Sequence, residues 1–162
     1  MTDRLKKTVG ASLSVALAVA LAACGGTGSP VTRSHARAIV TGGVSGLGLA
    51  VARHLVAHGG KVALFDLNDD KGTAAVAELG DASARYFRTD VSDETGVAAN
   101  VAAAKDFLGG LNAAINCAGI LGAGRVLGKD GPMPLSQFQT TVMVNLVGSF
   151  NVAKAAAHLM QH

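Results

Sequence analysis

Aromatic residues are scarce: the chain has no tryptophan, one tyrosine and five phenylalanines. With so few rings, and with Lys and Arg nowhere gathered into a stripe, it lacks the stacking platforms and basic track of a nucleic-acid binder. The two cysteines, Cys24 and Cys117, are too few for a disulfide framework. Five histidines, His35, His54, His58, His158 and His162, show no metal-ligand spacing and read as surface residues, so no metal site is expected. Charged residues make up only 15% of the chain. The formal +3 is concentrated at the start, where Arg4, Lys6 and Lys7 oppose Asp3 and leave +1 for residues 24–162. The apolar run from about Val9 to Ala23 is too short and too alanine-rich for a membrane span. What remains is 49% hydrophobic and holds 21 glycines in 162 residues, the profile of one Ala/Val/Gly-rich α/β domain and too apolar for disorder.

The first 23 residues have a basic start and an apolar core like those of an export signal. Leu21-Ala22-Ala23-Cys24, followed by two glycines, resembles a bacterial lipoprotein box, which makes Cys24 a lipidation candidate. The alternative is an upstream stretch joined to an unrelated coding segment. Residues 24–35 are rich in Gly, Ser, Thr and Pro, and read as a flexible tether.

From residue 36 onward strands and helices alternate. ARAIVT (36–41), KVALFD (61–66), ARYFRTD (84–90) and LNAAINCAG (111–119) read as four strands. Between the first two, GLGLAVARHLVAHGG reads as a helix with Leu47, Val51, Leu55 and Val56 on one face and a Gly-Gly stop. DDKGTAAVAELG is a second helix, and a third is capped by Ser92. A long helix runs from about Leu135 to Met160. Right-handed crossovers then predict a doubly wound, Rossmann-like parallel sheet in the order 3-2-1-4, built through four βα units.

Chemistry concentrates at the strand ends. In Thr41-Gly42-Gly43-Val44-Ser45-Gly46-Leu47-Gly48, Gly42 and Gly43 free the backbone for a sharp turn. Gly46 lets a pyrophosphate approach the main chain, and Gly48 lets the helix pack tightly on the strand. The helix N-terminus behind them offers free N–H groups and a positive dipole end. Asp66 ends the second strand eighteen residues after Gly48, where a carboxylate either starts an ordinary βα turn or accepts both ribose hydroxyls of an adenosine. A 2′-phosphate would meet like charge there, and no Arg adjoins Asp66 in sequence, which favours NAD over NADP. Asp90 either caps a turn or receives an adenine amino group, with Val91 as apolar contact. Asn116-Cys117-Ala118-Gly119 is either a plain turn or a small-residue seat for a ribose, in which Asn116 ties neighbouring strands.

Together these segments resemble the short-chain dehydrogenase/reductase family. The stretch from Ile115 to Met160 is similar to NAD-dependent type II 3-hydroxyacyl-CoA/17β-hydroxysteroid dehydrogenases, including Cys117 and the KDGPMPL insertion. The resemblance implies that Ser45 and Leu47 meet the phosphates and nicotinamide side, Asp66 the adenosine ribose, Asp90 and Val91 the adenine, and Cys117 and Gly119 the ribose side. It implies a catalytic part for Asn145, which holds a water for proton relay. An Asn inside the apolar run Val142–Val147 is locally unfavourable, so either it has a role or a neighbouring backbone group satisfies it.

The family's catalytic Ser and Tyr-x-x-x-Lys are absent from these residues. The sole tyrosine, Tyr86, lies in the third strand and cannot replace them. The expectation is therefore the NAD-binding half of a dehydrogenase for a small-molecule secondary alcohol, such as a 3-hydroxyacyl thioester, inactive alone. The intact relative would be cytoplasmic and homo-oligomeric, with no nucleic acid and no membrane contact unless Cys24 is lipidated. Alternatives are a lipid-anchored, non-catalytic phosphate-binding protein, and a fragment of an NADP-dependent 3-oxoacyl carrier-protein reductase.

Overall fold

A computed structural model describes residues 36–122, 124–129 and 131–161. The signal-like segment, Cys24, the tether, His35 and His162 lie outside the described residues. Four parallel strands form the central sheet: β1 (Arg37–Thr41), β2 (Lys61–Asp66), β3 (Ala84–Arg88) and β4 (Ala113–Asn116). Their order is β3-β2-β1-β4, as the alternation predicts.

Side chains alternate across the pleat, and each face meets its own helices. On one face Ile39, Ala63, Phe65 and Ala114 pack with Val97, Val101 and Leu108 of α3 (Glu94–Leu108) and with Val152 and Ala156 of α5 (Gly148–Met160). On the other face Val40, Val62, Leu64 and Ala84 meet Ala52 of α1 (Gly46–Ala57) and Ala75 of α2 (Asp69–Leu79). The central strands are buried on both sides, which is why they read as continuous apolar runs.

Local details depart from the sequence reading where tertiary demands intervene. The innermost positions of α1 are Gly48 and Ala52; Val51, Leu55 and Val56 are half-buried, and Leu47 is 58% exposed. This helix sits too close to the sheet for larger residues, since a Cβ on Gly48 would overlap the Gly42 carbonyl. Asp93, not Ser92, caps α3 by accepting from the Thr95 amide at 3.1 Å. Ser92 instead donates its hydroxyl to Asp90 at 2.7 Å. The fourth strand is shorter than expected, because β1 ends at Thr41 and offers no further backbone to pair.

The long C-terminal helix begins and ends where expected but is not uniform. An α-helical segment α4 (Leu135–Val142) passes through a π-helical turn (Met143–Val147) into α5. In that turn the Gly148 amide reaches back five residues to the Met143 carbonyl. The loop before α4 contains a short antiparallel pair that the sequence reading omitted, β5 (Leu127–Gly128) with β6 (Gly131–Pro132).

Candidate functional site

A cleft of about 640 Å³ opens at the C-terminal ends of the strands, within the usual range of small-molecule sites. It lies where neighbouring connections leave the sheet in opposite directions, between β1 and β4, the switch point at which open α/β sheets bind ligands. Gly42, Ser45, Gly46, Leu47, Gly48, Asp66, Asp90, Val91, Cys117, Ala118 and Gly119 all line it.

The β1–α1 turn forms its floor. Gly42 has φ of +62°, and a Cβ there would lie 2.8 Å from the Cys117 carbonyl oxygen, so both conformation and space require glycine. Gly43 needs room rather than a left-handed backbone: a Cβ would lie 2.7 Å from the Val40 carbonyl oxygen. Gly46, at φ +50°, leaves open space on its outer side. Ser45 precedes α1 in extended conformation and makes no side-chain capping bond. The first N–H groups of a helix have no intrahelical acceptor. The cleft therefore receives a hydroxyl, a row of amides and the positive end of a helix dipole, which suit an anion.

One fully buried hydroxyl holds the two walls together. Thr41 Oγ1 accepts from the amides of Cys117 and Ala118, both at 3.0 Å, and donates to Asn116 Oδ1 at 3.5 Å. Asn116 Nδ2 continues the chain to the Ser149 carbonyl at 3.3 Å. Asn116 thus lies beneath the cleft and ties β1, β4 and α5 together. Burial pushes the half-buried Cys117 thiol above its usual range.

Asp66 faces the cleft from the tip of β2. Its Oδ1 accepts from the amides of Leu67 (2.8 Å) and Asn68 (3.1 Å), which leaves Oδ2 for a ligand. The absence of a neighbouring Arg holds in sequence but not in space: strand register sets Arg88 opposite Asp66. That guanidinium is engaged by the Leu67 carbonyl (2.6 Å) and Asp69 Oδ2 (2.8 Å). Asp90 caps the turn, holding the Ser92 amide and hydroxyl through Oδ1, and it also borders the cleft. Val91 is buried against Gly148, and its carbonyl accepts from Asn151.

Asn145 sits inside the π-helical turn, and its side-chain amide forms a two-point pair with the Ile120 backbone. Oδ1 accepts from the Ile120 amide at 2.8 Å and Nδ2 donates to its carbonyl at 3.0 Å. The side chain thus fixes the β4–β5 loop, and its neighbour Val144 reaches the cleft. Tyr86 lies outside the cleft, its hydroxyl within 3.0 Å of the Asp66 carbonyl and 2.9 Å of Asp69 Oδ1. Burial first, then the Asp69 carboxylate, push this phenol up to about 12, the wrong direction for a proton donor near neutrality.

Phe65, Leu67, Thr89, Ile120 and Val144 also line the cleft and were missed in the sequence. Each adjoins a recognised residue, so the signal for them was adjacency at a strand or loop end. Among the described residues no cluster of His, Cys, Asp and Glu has metal-holding geometry, and no helix is long and apolar enough to cross a membrane.

Comparison with known proteins places this geometry in context. Residues 36–162 match the family model described as short chain dehydrogenase. The chain is 40% identical over 128 residues to the 3-hydroxyacyl-CoA dehydrogenase type-2 of Drosophila melanogaster, covering 78% of this chain and 50% of that protein. The Homo sapiens protein of the same name is 40% identical over 122 residues, with 74% and 46% covered. A 2,5-dichloro-2,5-cyclohexadiene-1,4-diol dehydrogenase of Sphingobium indicum is 43% identical over 112 residues, with 69% and 43% covered. A solved short-chain dehydrogenase/reductase from Brucella melitensis, described as a glucose/ribitol dehydrogenase, superposes with a TM-score of 0.69 at 25% identity, covering 78% of this chain and 51% of that one. The chain spans about half the length of the curated relatives it matches.

Proposed function

Because the chain belongs to the short-chain dehydrogenase family, we propose that residues 36–162 form the NAD-binding half of an oxidoreductase that interconverts a secondary alcohol and a ketone. The substrate class is a 3-hydroxyacyl thioester, in keeping with the relatives named 3-hydroxyacyl-CoA dehydrogenase. The observation that carries the reading is the pairing, in one cleft, of an uncapped helix N-terminus with a strand-end carboxylate whose Oδ2 meets no donor among the described residues.

The residues present fit a dinucleotide. Amides of Gly46, Leu47 and Gly48, with the Ser45 hydroxyl, would hold the pyrophosphate. Asp66 would take the adenosine ribose through Oδ2, and its negative charge disfavours a 2′-phosphate. Asp90 and Val91 would border the adenine, and Cys117, Ala118 and Gly119 the second ribose. When bound, a nicotinamide supplies hydride acceptance and donation. Asn145, through its pair with Ile120, would shape the edge of the cleft that receives the group. In this proposal the 162-residue polypeptide binds nucleotide but does not move the substrate proton, because its one tyrosine is held outside the cleft. The enzyme of which it is the cofactor half works in the cytoplasm as a homo-oligomer. Apolar side chains exposed along α4 and beyond support self-association: Leu135, Phe138, Met143, Leu146 and Phe150.

Calorimetric titration of NAD and NADP tests the cofactor. NAD is expected to bind more tightly, and Asp66→Ala to erode the preference. A preference for NADP in the unaltered chain would overturn the reading.

A further inference from the structure

The turn that carries Asp66 is held from outside the cleft by three side chains. Tyr86 directs its hydroxyl at the Asp66 carbonyl and at Asp69 Oδ1. Arg88, two residues further along β3 and on the same face, donates through Nη1 to the Leu67 carbonyl and to Asp69 Oδ2. The Asp69 carboxylate therefore stands between them, one oxygen to each. Main-chain register sets Arg88 across from Asp66, and the carbonyl it grips belongs to Leu67, which lines the cleft. A guanidinium thus lies immediately behind the turn whose carboxylate faces the ligand.

The Arg88 and Asp69 side chains are 61% and 62% exposed, so their ion pair contributes little to stability. Its consequence is where it puts a cation. Arg is well shaped for phosphate, and an Arg near the end of the second strand is the usual accommodation for a 2′-phosphate. Here that group is present but turned to a carboxylate on its own surface.

We propose that Asp69 is a positioning residue that sets the nucleotide preference of the cleft, by holding Arg88 behind Leu67 and leaving Asp66 as the charge a 2′-phosphate meets. The inference rests on the dinucleotide reading above. Removing the Asp69 charge leaves Arg88 only a neutral carbonyl partner, and the guanidinium becomes available to the ribose edge.

The test uses the full chain, with ADP and 2′-phospho-ADP as probes that differ only in the phosphate at issue. The unaltered chain prefers ADP. Asp69→Asn narrows the ratio of the two dissociation constants by about tenfold, the scale of one charge-assisted hydrogen bond. Adding Arg88→Gln to Asp69→Asn returns the ratio to its starting value. Tyr86 gives a readout independent of ligand, because the chain has no other tyrosine and no tryptophan. Its absorbance titration, which burial and the Asp69 carboxylate hold above that of a free phenol, moves to lower pH in Asp69→Asn. A ratio unchanged in Asp69→Asn while ADP still binds would overturn the inference and leave the dinucleotide reading intact. So would a narrowed ratio that persists in the double variant. Failure of ADP to bind the unaltered chain would overturn both. Should Asp69→Asn not fold, Arg88→Gln alone decides: the ratio is expected to stay constant, and a tenfold change in it refutes the held-back guanidinium.

Discussion

Replacing Thr41 with Val preserves the shape of a fully buried side chain and deletes its hydroxyl. The amides of Cys117 and Ala118 then lose their acceptor, and Asn116 Oδ1 loses its donor. A polar group left without a partner costs about 1–3 kcal/mol when buried. Both amides belong to half-buried residues and the Asn116 contact is long, so the lower part of that range applies to each. The sum is about 2–4 kcal/mol, a large share of the stability of an ordinary domain. Thr41→Ser is the control: it keeps the hydroxyl and loses one methyl, worth about 1 kcal/mol. Urea unfolding followed by circular dichroism measures both variants. Valine is expected to lie below serine by at least about 1 kcal/mol. If Thr41→Val were as stable as Thr41→Ser, the hydroxyl would not be what joins β1 to β4, and the account of the cleft's floor would fail.

The other expectations can be checked separately. Because burial raises the Cys117 thiol, its alkylation should gain speed only above the pH at which an ordinary thiol ionises, and saturating NAD should protect it from reagent. The 162-residue polypeptide should yield no NADH from 3-hydroxyacyl thioesters and should self-associate in sedimentation; turnover by a monomer would show that another residue carries the proton. Labelled palmitate fed to a bacterial host tests the lipid-anchored reading: incorporation abolished by Cys24→Ala supports it, and unlabelled full-length soluble chain defeats it.

The sheet was legible because its strands are short apolar runs stopped by glycine or charge, and because strictly alternating βα units with right-handed crossovers leave few possible orders. The glycine turn and Asp66 were legible for the same local reason, since strand ends face the switch point. What escaped depends on groups distant in sequence. The relation of Arg88 to Asp66 comes from register between strands 22 residues apart, and no adjacency announces it. Ser92 and Asp93 are both good caps, and only the pull of Asp90 on the Ser92 hydroxyl decides between them. A two-residue strand such as β5 has no periodicity to detect.

The π-helical turn has a geometric consequence beyond holding Ile120. Each residue of an α-helix advances the azimuth by about 100°, so the wider turn acts as a phase shifter between two halves with different duties. Within the turn, Asn145 and Val144 must face the loop and cleft; downstream, Asn151, Val152 and Ala156 must face α3 and the sheet. A strictly regular helix could satisfy one set only by rotating the other away. The irregular turn thus brings Asn145 to the loop and Val144 to the cleft while α5 keeps its own face on the core, with Val144 packed against both.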